Sequence, residues 1–181
     1  MTKQTSSQYD QIIGKCKSIF ISKNADYGTS WRVMRISSIM DQIFIKAQRI
    51  RNIEEKAVKK VDEGVDSEYM GIINYCVIAL IQLELKDSKK MDLSTTQLTK
   101  LYNKYISQTK SLMENKNHDY GEAWRDMLVS TFTDMLLMRV LRIRQISSAK
   151  GNTIMSEGID SNLMDMINYS IFALIQLEEE K

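Results

Sequence analysis

Proline is missing from all 181 residues, and glycine occurs only 7 times. Without proline nothing in the chain forces a helix to break. With so little glycine there are few sites for the tight turns of a strand-rich fold. Both facts favour helices joined by short connections over a loop-rich or strand-rich fold. Histidine is nearly absent: His118 stands alone, and the matching position in the repeat described below is Ala25. That excludes a histidine-based mechanism built twice. No glycine-rich phosphate loop is present. The two cysteines, Cys16 and Cys76, lie at unrelated spacing with no metal knuckle, so they read as core thiols of a reducing compartment. A strong charge of one sign is lacking too. The 25 Lys and Arg nearly balance the 23 Asp and Glu, for a net +2, which speaks against a nucleic-acid polymer as partner. The most apolar run, residues 70–83, contains Asn74 and Gln82 and is too short to span a bilayer. Residues 1–7 are polar and carry no signal-peptide stretch. A cytoplasmic protein with no membrane partner is the expectation.

What the chain does contain is 43% apolar residues, enough for a sizeable core, and twelve methionines against four phenylalanines, which suits a helical core of unbranched side chains. It also contains itself twice. Lys23-Asn24-Ala25-Asp26-Tyr27-Gly28 returns as Lys116-Asn117-His118-Asp119-Tyr120-Gly121, Trp31-Arg32 as Trp124-Arg125, and Arg49-Ile50-Arg51 as Arg142-Ile143-Arg144. Ile73-Asn74-Tyr75 returns as Ile167-Asn168-Tyr169, and residues 79–84 return unchanged as 173–178. Roughly 28 of about 62 aligned positions are identical, too many for two unrelated helical segments. Two copies are too few for a solenoid. A pair packs more naturally as a pseudo-symmetric dimer within one chain. The copies divide as 1–90 and 91–181, with residues 87–94 as a polar connector. Either copy alone would expose too much apolar surface, so one fused globular domain is expected.

Each copy reads as three helices. The first covers about 8–23, and 95–116 in the second copy. A connection over 24–36 follows, with Gly28 suited to a positive-φ turn and a short helical turn near 31–34. The second helix begins at Ser38, where Ser38 and Asp41 (Thr131 and Asp134 in the other copy) form a capping-box pattern. The third begins at Asp66 or Ser67, runs to about Leu85, and matches 160–179. It is apolar on nearly every face and so belongs at the centre. The fold class is all-α: a tandem duplication of a three-helix unit packed as an intrachain pseudo-twofold bundle.

Several charged groups recur. Asp26 and Asp119, each in a Lys-Asn-x-Asp-Tyr-Gly string, could ligate a metal or simply end a helix. Arg32 and Arg125 offer a fork suited to phosphate. The neighbouring Trp31 and Trp124, with Tyr27 and Tyr120, could contact a base, although a tryptophan in the core is the plainer reading. Lys46 and Arg49 lie three apart on one helical face, as do Arg139 and Arg142. With Lys23 and Lys116 they form a candidate phosphate set. Arg51 and Arg144 point elsewhere. Glu63, Asp66 and Glu68 gather at the start of one third helix, and Glu157, Asp160 and Asp165 at the other. A Glu-x-x-Asp pair there could hold a divalent ion. The pair is split, however: the first copy has Glu68 with Gly71, the second Asn162 with Asp165. Asn74 and Asn168, inside apolar helices, must find partners. Either they bond each other across the pseudo-twofold axis or they face a ligand.

The strings Lys-Asn-x-Asp-Tyr-Gly, Trp-Arg, the Lys/Arg-x-x-Arg-Ile helix and the terminal Asn-Tyr helix resemble the nucleotide modification associated domain of the first type, formerly a domain of unknown function. The resemblance occurs once per copy and covers nearly the whole chain. It implies a link to the synthesis or handling of modified nucleotides. A looser similarity joins the chain to the all-α nucleoside triphosphate pyrophosphatases (the MazG-like and dimeric dUTPase group), whose acidic array is denser. The expected function is therefore nucleotide-directed. One version is a Mg2+- or Mn2+-dependent pyrophosphatase with Asp26, Asp119, Glu68 and Asp165 as metal ligands. The alternatives are a non-catalytic nucleotide-binding or regulatory module and a helical interaction scaffold. The expected partner is a small phosphorylated ligand, with a homodimer also compatible.

Overall fold

The computed structural model describes residues 2–56, 64–86, 88–148 and 158–180. Among them are six α-helices and no strand. The first copy contributes α1 (Lys3–Tyr27), a 3₁₀ turn (Ser30–Val33), α2 (Ile36–Lys56) and α3 (Val65–Glu84). The second contributes α4 (Thr95–Tyr120), a 3₁₀ turn (Ala123–Asp126), α5 (Val129–Ser148) and α6 (Ile159–Glu179).

The helix ends differ from the sequence expectation in instructive ways. Nothing in residues 23–27 stops a helix, so α1 continues through Asp26 and Tyr27 instead of entering a connection there. It ends at Gly28, with φ 61° and ψ −153°, and α4 ends the same way at Gly121, with φ 65° and ψ −154°. That region is closed to residues with a Cβ. Ser38 is not a cap, because the extended backbone at Met34 leads straight into α2 at Ile36. Asp41 and Asp134 therefore do not close capping boxes. Asp41 pairs with Arg144 at 2.6 Å and Asp134 with Arg51 at 3.7 Å, two matching bridges between α2 and α5. The third helices begin one or two residues early, with the extended backbones of Gly64 and Gly158 at the N-caps in place of an Asp or Ser side chain.

The helices stack as three layered pairs. α3 packs on α6 in the middle, α2 and α5 cover one side, and α1 and α4 cover the other. The middle pair is the core, as its apolar pattern requires: Ile72, Ile73, Val77 and Ile81 are sealed, as are Leu163, Met166, Ile167 and Ile171. α1 touches both α3 and α6, and so does α4. Each copy's first helix thus covers the other copy's core.

Asn74 and Asn168 secure that exchange, though not by bonding each other. Asn74 Nδ2 donates to the Cys16 carbonyl of α1 at 3.0 Å, and its Oδ1 accepts from the Tyr102 hydroxyl of α4 at 3.1 Å. Asn168 mirrors it, donating to the Thr109 carbonyl of α4 at 3.2 Å and accepting from Tyr9 of α1 at 3.0 Å. Each amide finds a backbone carbonyl and a tyrosine hydroxyl on the layer beside it. All four groups are buried, so each unmet bond would cost about 1–3 kcal/mol. Cys16 and Cys76 are free, buried thiols, and burial pushes the Cys16 thiol up to about 12. Among the described residues no helix is long and apolar enough to cross a membrane.

Candidate functional site

α1 and α2 lie on opposite sides of α3. Where they part, the first copy leaves a cleft of about 730 Å³. Its floor is one stripe of α3: Ser67, Gly71, Asn74 and Ile78, with Tyr75 beside them. The spacing of three to four residues puts these on one helical face. One wall is the end of α1, with Phe20, Lys23 and Tyr27. The 3₁₀ turn adds Trp31 and Met34, and α2 adds Lys46. Tyr27, one residue before the positive-φ glycine that ends α1, is 72% exposed and puts a large ring at the rim.

The charges in this cleft are unevenly matched. Glu68, almost fully buried, accepts from Lys46 Nζ at 3.0 Å and from Arg49. Lys46 lies across Gly71, where a Cβ would meet its side-chain carbons at about 3 Å. Across the cleft, Lys23 makes no ion pair or hydrogen bond among the described residues. Trp31 is oriented by its Nε1, which donates to Asn24 Oδ1 at 3.1 Å, and Asn24 in turn donates to the Phe20 carbonyl at 2.7 Å.

The same place in the second copy is filled from within. Asp165 occupies the position of Gly71. Its side chain is 2% exposed, and it pairs with Lys116 of α4 at 2.6 Å and with Arg139 of α5 at 2.7 Å. Phe172 occupies the position of Ile78, and its ring stacks on Trp124 with centroids 4.3 Å apart and an interplanar angle of 7°. Arg139 also donates to Asn162 at 2.9 Å and to the Tyr169 hydroxyl at 3.2 Å. Arg142, the counterpart of Arg49, lies away from Asp165, in a shallow depression with Arg51 and Asp134. Tyr120, 78% exposed, repeats the rim position of Tyr27.

Of the residues singled out from sequence, Lys23, Tyr27, Trp31, Lys46 and Glu68 therefore meet in one cleft, with Arg49 behind Glu68. In the second copy Lys116, Arg139 and Asp165 form one ion-paired cluster, and Trp124 stacks on Phe172. Arg32 and Arg125 join neither cation set. Arg32 is buried and donates to Gln82 and to the carbonyls of Leu85, Ser88 and Lys90, so it latches the end of α3 and the connector into α4. Arg125 stacks over Trp124 and bonds Glu122, Glu179, Thr5 and Gln8, latching the start of α1. Each Trp-Arg turn holds the entry to the other copy's first helix, and Gln82 or Gln176 on the third helix clamps the turn's carbonyls. Asp26 and Asp119 are exposed on the last turns of α1 and α4, and neither lines the first cleft. Asp119 has His118 beside it, at 3.2 Å. Glu63 and Glu157 lie outside the described residues. Among the described residues no three Asp, Glu, His or Cys side chains come together as a metal site. The positions that sequence reasoning passed over are Ser67, Tyr75 and Ile78. The signal for Gly71 and Ile78 lay in where the copies differ, as Gly71 against Asp165 and Ile78 against Phe172.

Comparison with known proteins gives one family match. The model of nucleotide modification associated domain 1 matches residues 23–83 and again 116–177. Searches of curated proteins and of solved structures each return no match.

Proposed function

This chain belongs to the nucleotide modification associated domain 1 family, carrying its domain twice, and from that premise we propose that the first copy binds a small phosphorylated ligand, a nucleotide, in the cleft between α1 and α2. The observation that carries the reading is Lys23. Its counterpart Lys116 has a buried carboxylate at 2.6 Å, while Lys23 has no anionic partner among the described residues: Gly71 stands where Asp165 does, and the cleft's Glu68 is engaged by Lys46 and Arg49. A phosphate entering the cleft supplies that anion. Lys23 would hold it from α1 and Lys46 from α2, where Lys46 can share its charge between Glu68 and the ligand. Trp31, Tyr27 and Tyr75 provide aromatic surface for a base. A volume of about 730 Å³ falls within the range of small-molecule sites.

The stronger version of the reading is a Mg2+- or Mn2+-dependent nucleotide pyrophosphatase. It fits the donor set less well. Such a metal takes carboxylate oxygens, and Glu68, the acid that lines the cleft among the described residues, has its oxygens on Lys46 and Arg49. Asp26 and Asp119 stand apart from it. The geometry therefore favours binding without turnover. Thermal shift with the common nucleoside triphosphates, with and without Mg2+, tests the proposal. Stabilisation of the wild type is expected. Lys23→Ala should weaken affinity by roughly tenfold or more, as for loss of a charge-assisted bond. A chain that no nucleotide stabilises would overturn the reading. Release of pyrophosphate from any triphosphate in the panel would promote the hydrolytic version over simple binding.

A further inference from the structure

We infer that the second cleft is permanently occupied by its own side chains, Asp165 and Phe172, and that these two trace the outline of the ligand taken by the first. The inference rests on the nucleotide reading and deepens it. In the second copy an aromatic ring stacks flat on Trp124, and a carboxylate stands between Lys116 and Arg139. The equivalent groups in the first copy are Trp31, Lys23 and Lys46, and the positions that would fill the space are Ile78 and Gly71.

Asp165 and Phe172 are seven residues apart on one face of α6, two helical turns or about 10 Å. A ring at one end and an anion at the other is the shape of a nucleoside phosphate, and neither a free base nor inorganic phosphate reaches both ends. The ligand class follows: a nucleotide with its base against Trp31 and its phosphates between Lys23 and Lys46. The stoichiometry follows as well. The protein takes one ligand per chain although it carries the domain twice. The second copy spends its ion pairs and its stacking on itself, so it serves as a fixed half of the scaffold.

Exchanging the filling residues tests this in the full chain. Binding of the eight common nucleoside triphosphates is measured by titration calorimetry, with circular dichroism as a check on folding. The wild type should bind one equivalent. Gly71→Asp combined with Ile78→Phe, which gives the first cleft the filling of the second, should weaken binding at least a hundredfold. Lys46 is the group that must yield to the new Cβ, and it is the flexible end of a side chain. Asp165→Gly combined with Phe172→Ile should raise the stoichiometry to two. Two equivalents in the wild type would overturn the inference and leave nucleotide binding standing. One equivalent with undiminished affinity in the Gly71→Asp, Ile78→Phe protein would do the same, by placing the ligand elsewhere. No binding by the wild type or by either variant would sink the nucleotide reading itself and this inference with it. The first exchange decides the matter even if the second does not fold.

Discussion

In the first copy the buried acid of the third helix is Glu68, and it serves α2 through Lys46 and Arg49. In the second copy it is Asp165, one helical turn further along, and it serves both α4 and α5, through Lys116 and Arg139. Shifting one carboxylate by about 4.5 Å along a helix changes an open cleft into a closed seam. Several contacts that build the scaffold are meanwhile kept in pairs: the Asn–Tyr bonds, the glutamine clamps, the crossed Asp–Arg bridges. The duplicated scaffold stays constant while the same place is an open cleft in one copy and is filled by side chains in the other. The largest stability effect should fall on that difference. Asp165→Asn leaves Arg139 facing a neutral amide in a site that admits almost no water, which costs about 3 kcal/mol and lowers Tm by roughly 10 °C. Glu68→Gln exposes cations that are each about a quarter accessible to solvent, and it should cost about 1 kcal/mol. Equal losses in thermal denaturation would break the contrast.

Where the copies are alike, their variants should be too. Tyr9→Phe deprives Asn168 of a donor, and Tyr102→Phe deprives Asn74. Both amides are buried, so each change should destabilise by about 1–2 kcal/mol, and the two should agree within about 0.5 kcal/mol by urea titration. Combining them should be close to additive, because the two bonds share no atom. A large difference between the single variants would show that one half carries the register of the bundle.

The architecture was legible because it follows from periodicity and repetition. Six helices, an apolar central pair and a pseudo-twofold arrangement all come from spacing and from identities between the copies. Helix ends were less legible. Asp26 and Tyr27 look like turn residues, yet only Gly28 needs a backbone that other residues avoid. Ser38 and Asp41 have the spacing of a cap, yet cap geometry depends on how the chain arrives, and Met34 delivers it already extended. The site was half legible. Lys23, Lys46, Tyr27 and Trp31 were found because they recur. Arg32 recurs for a different reason, since its donors hold backbone carbonyls that no sequence pattern displays. Gly71 was noted only as a gap in an acidic pair, and Ile78 was passed over because recurrence was the criterion; what opens the first cleft is the lack of recurrence at those two positions.

The two lysines sharpen the comparison at a smaller scale. Lys116→Ala removes a partner of Asp165 but leaves Arg139 in place, and Lys116 is itself 42% exposed, so the cost should be no more than about 1 kcal/mol. Lys23→Ala removes no bond among the described residues and should leave Tm within about a degree of wild type. The functional effects should run in reverse, with affinity for a nucleoside triphosphate falling in Lys23→Ala and holding in Lys116→Ala. Loss of affinity in both would mean that both clefts take ligand.

The smallest effect concerns the latches, which do the same job with different chemistry. In the first copy Thr29 Oγ1 holds the connector, donating to the Met91 carbonyl at 2.6 Å and accepting from the Leu93 amide at 3.2 Å. A hydroxyl does not titrate in this range. In the second copy Glu122 does the holding, accepting from the Thr2 amide at 2.8 Å, the Thr5 hydroxyl at 2.9 Å and Arg125 at 2.9 Å. Burial pushes the Glu122 carboxyl up, but the bonds from Thr2, Arg125 and Thr5 outweigh it and hold the group at about 2, below its ordinary 4.5. A carboxyl depressed in the folded state adds stability that is complete above about 4.5 and lost as pH falls towards about 2. Wild type should therefore be slightly more stable than Glu122→Gln near neutral pH, and the gap in Tm should close between about pH 4.5 and pH 2. Thr29→Val should show a gap that does not change over the same interval. A pH-independent gap for Glu122→Gln would mean that the carboxylate's charge contributes nothing to holding α1, and that the two latches differ in composition but not in physics.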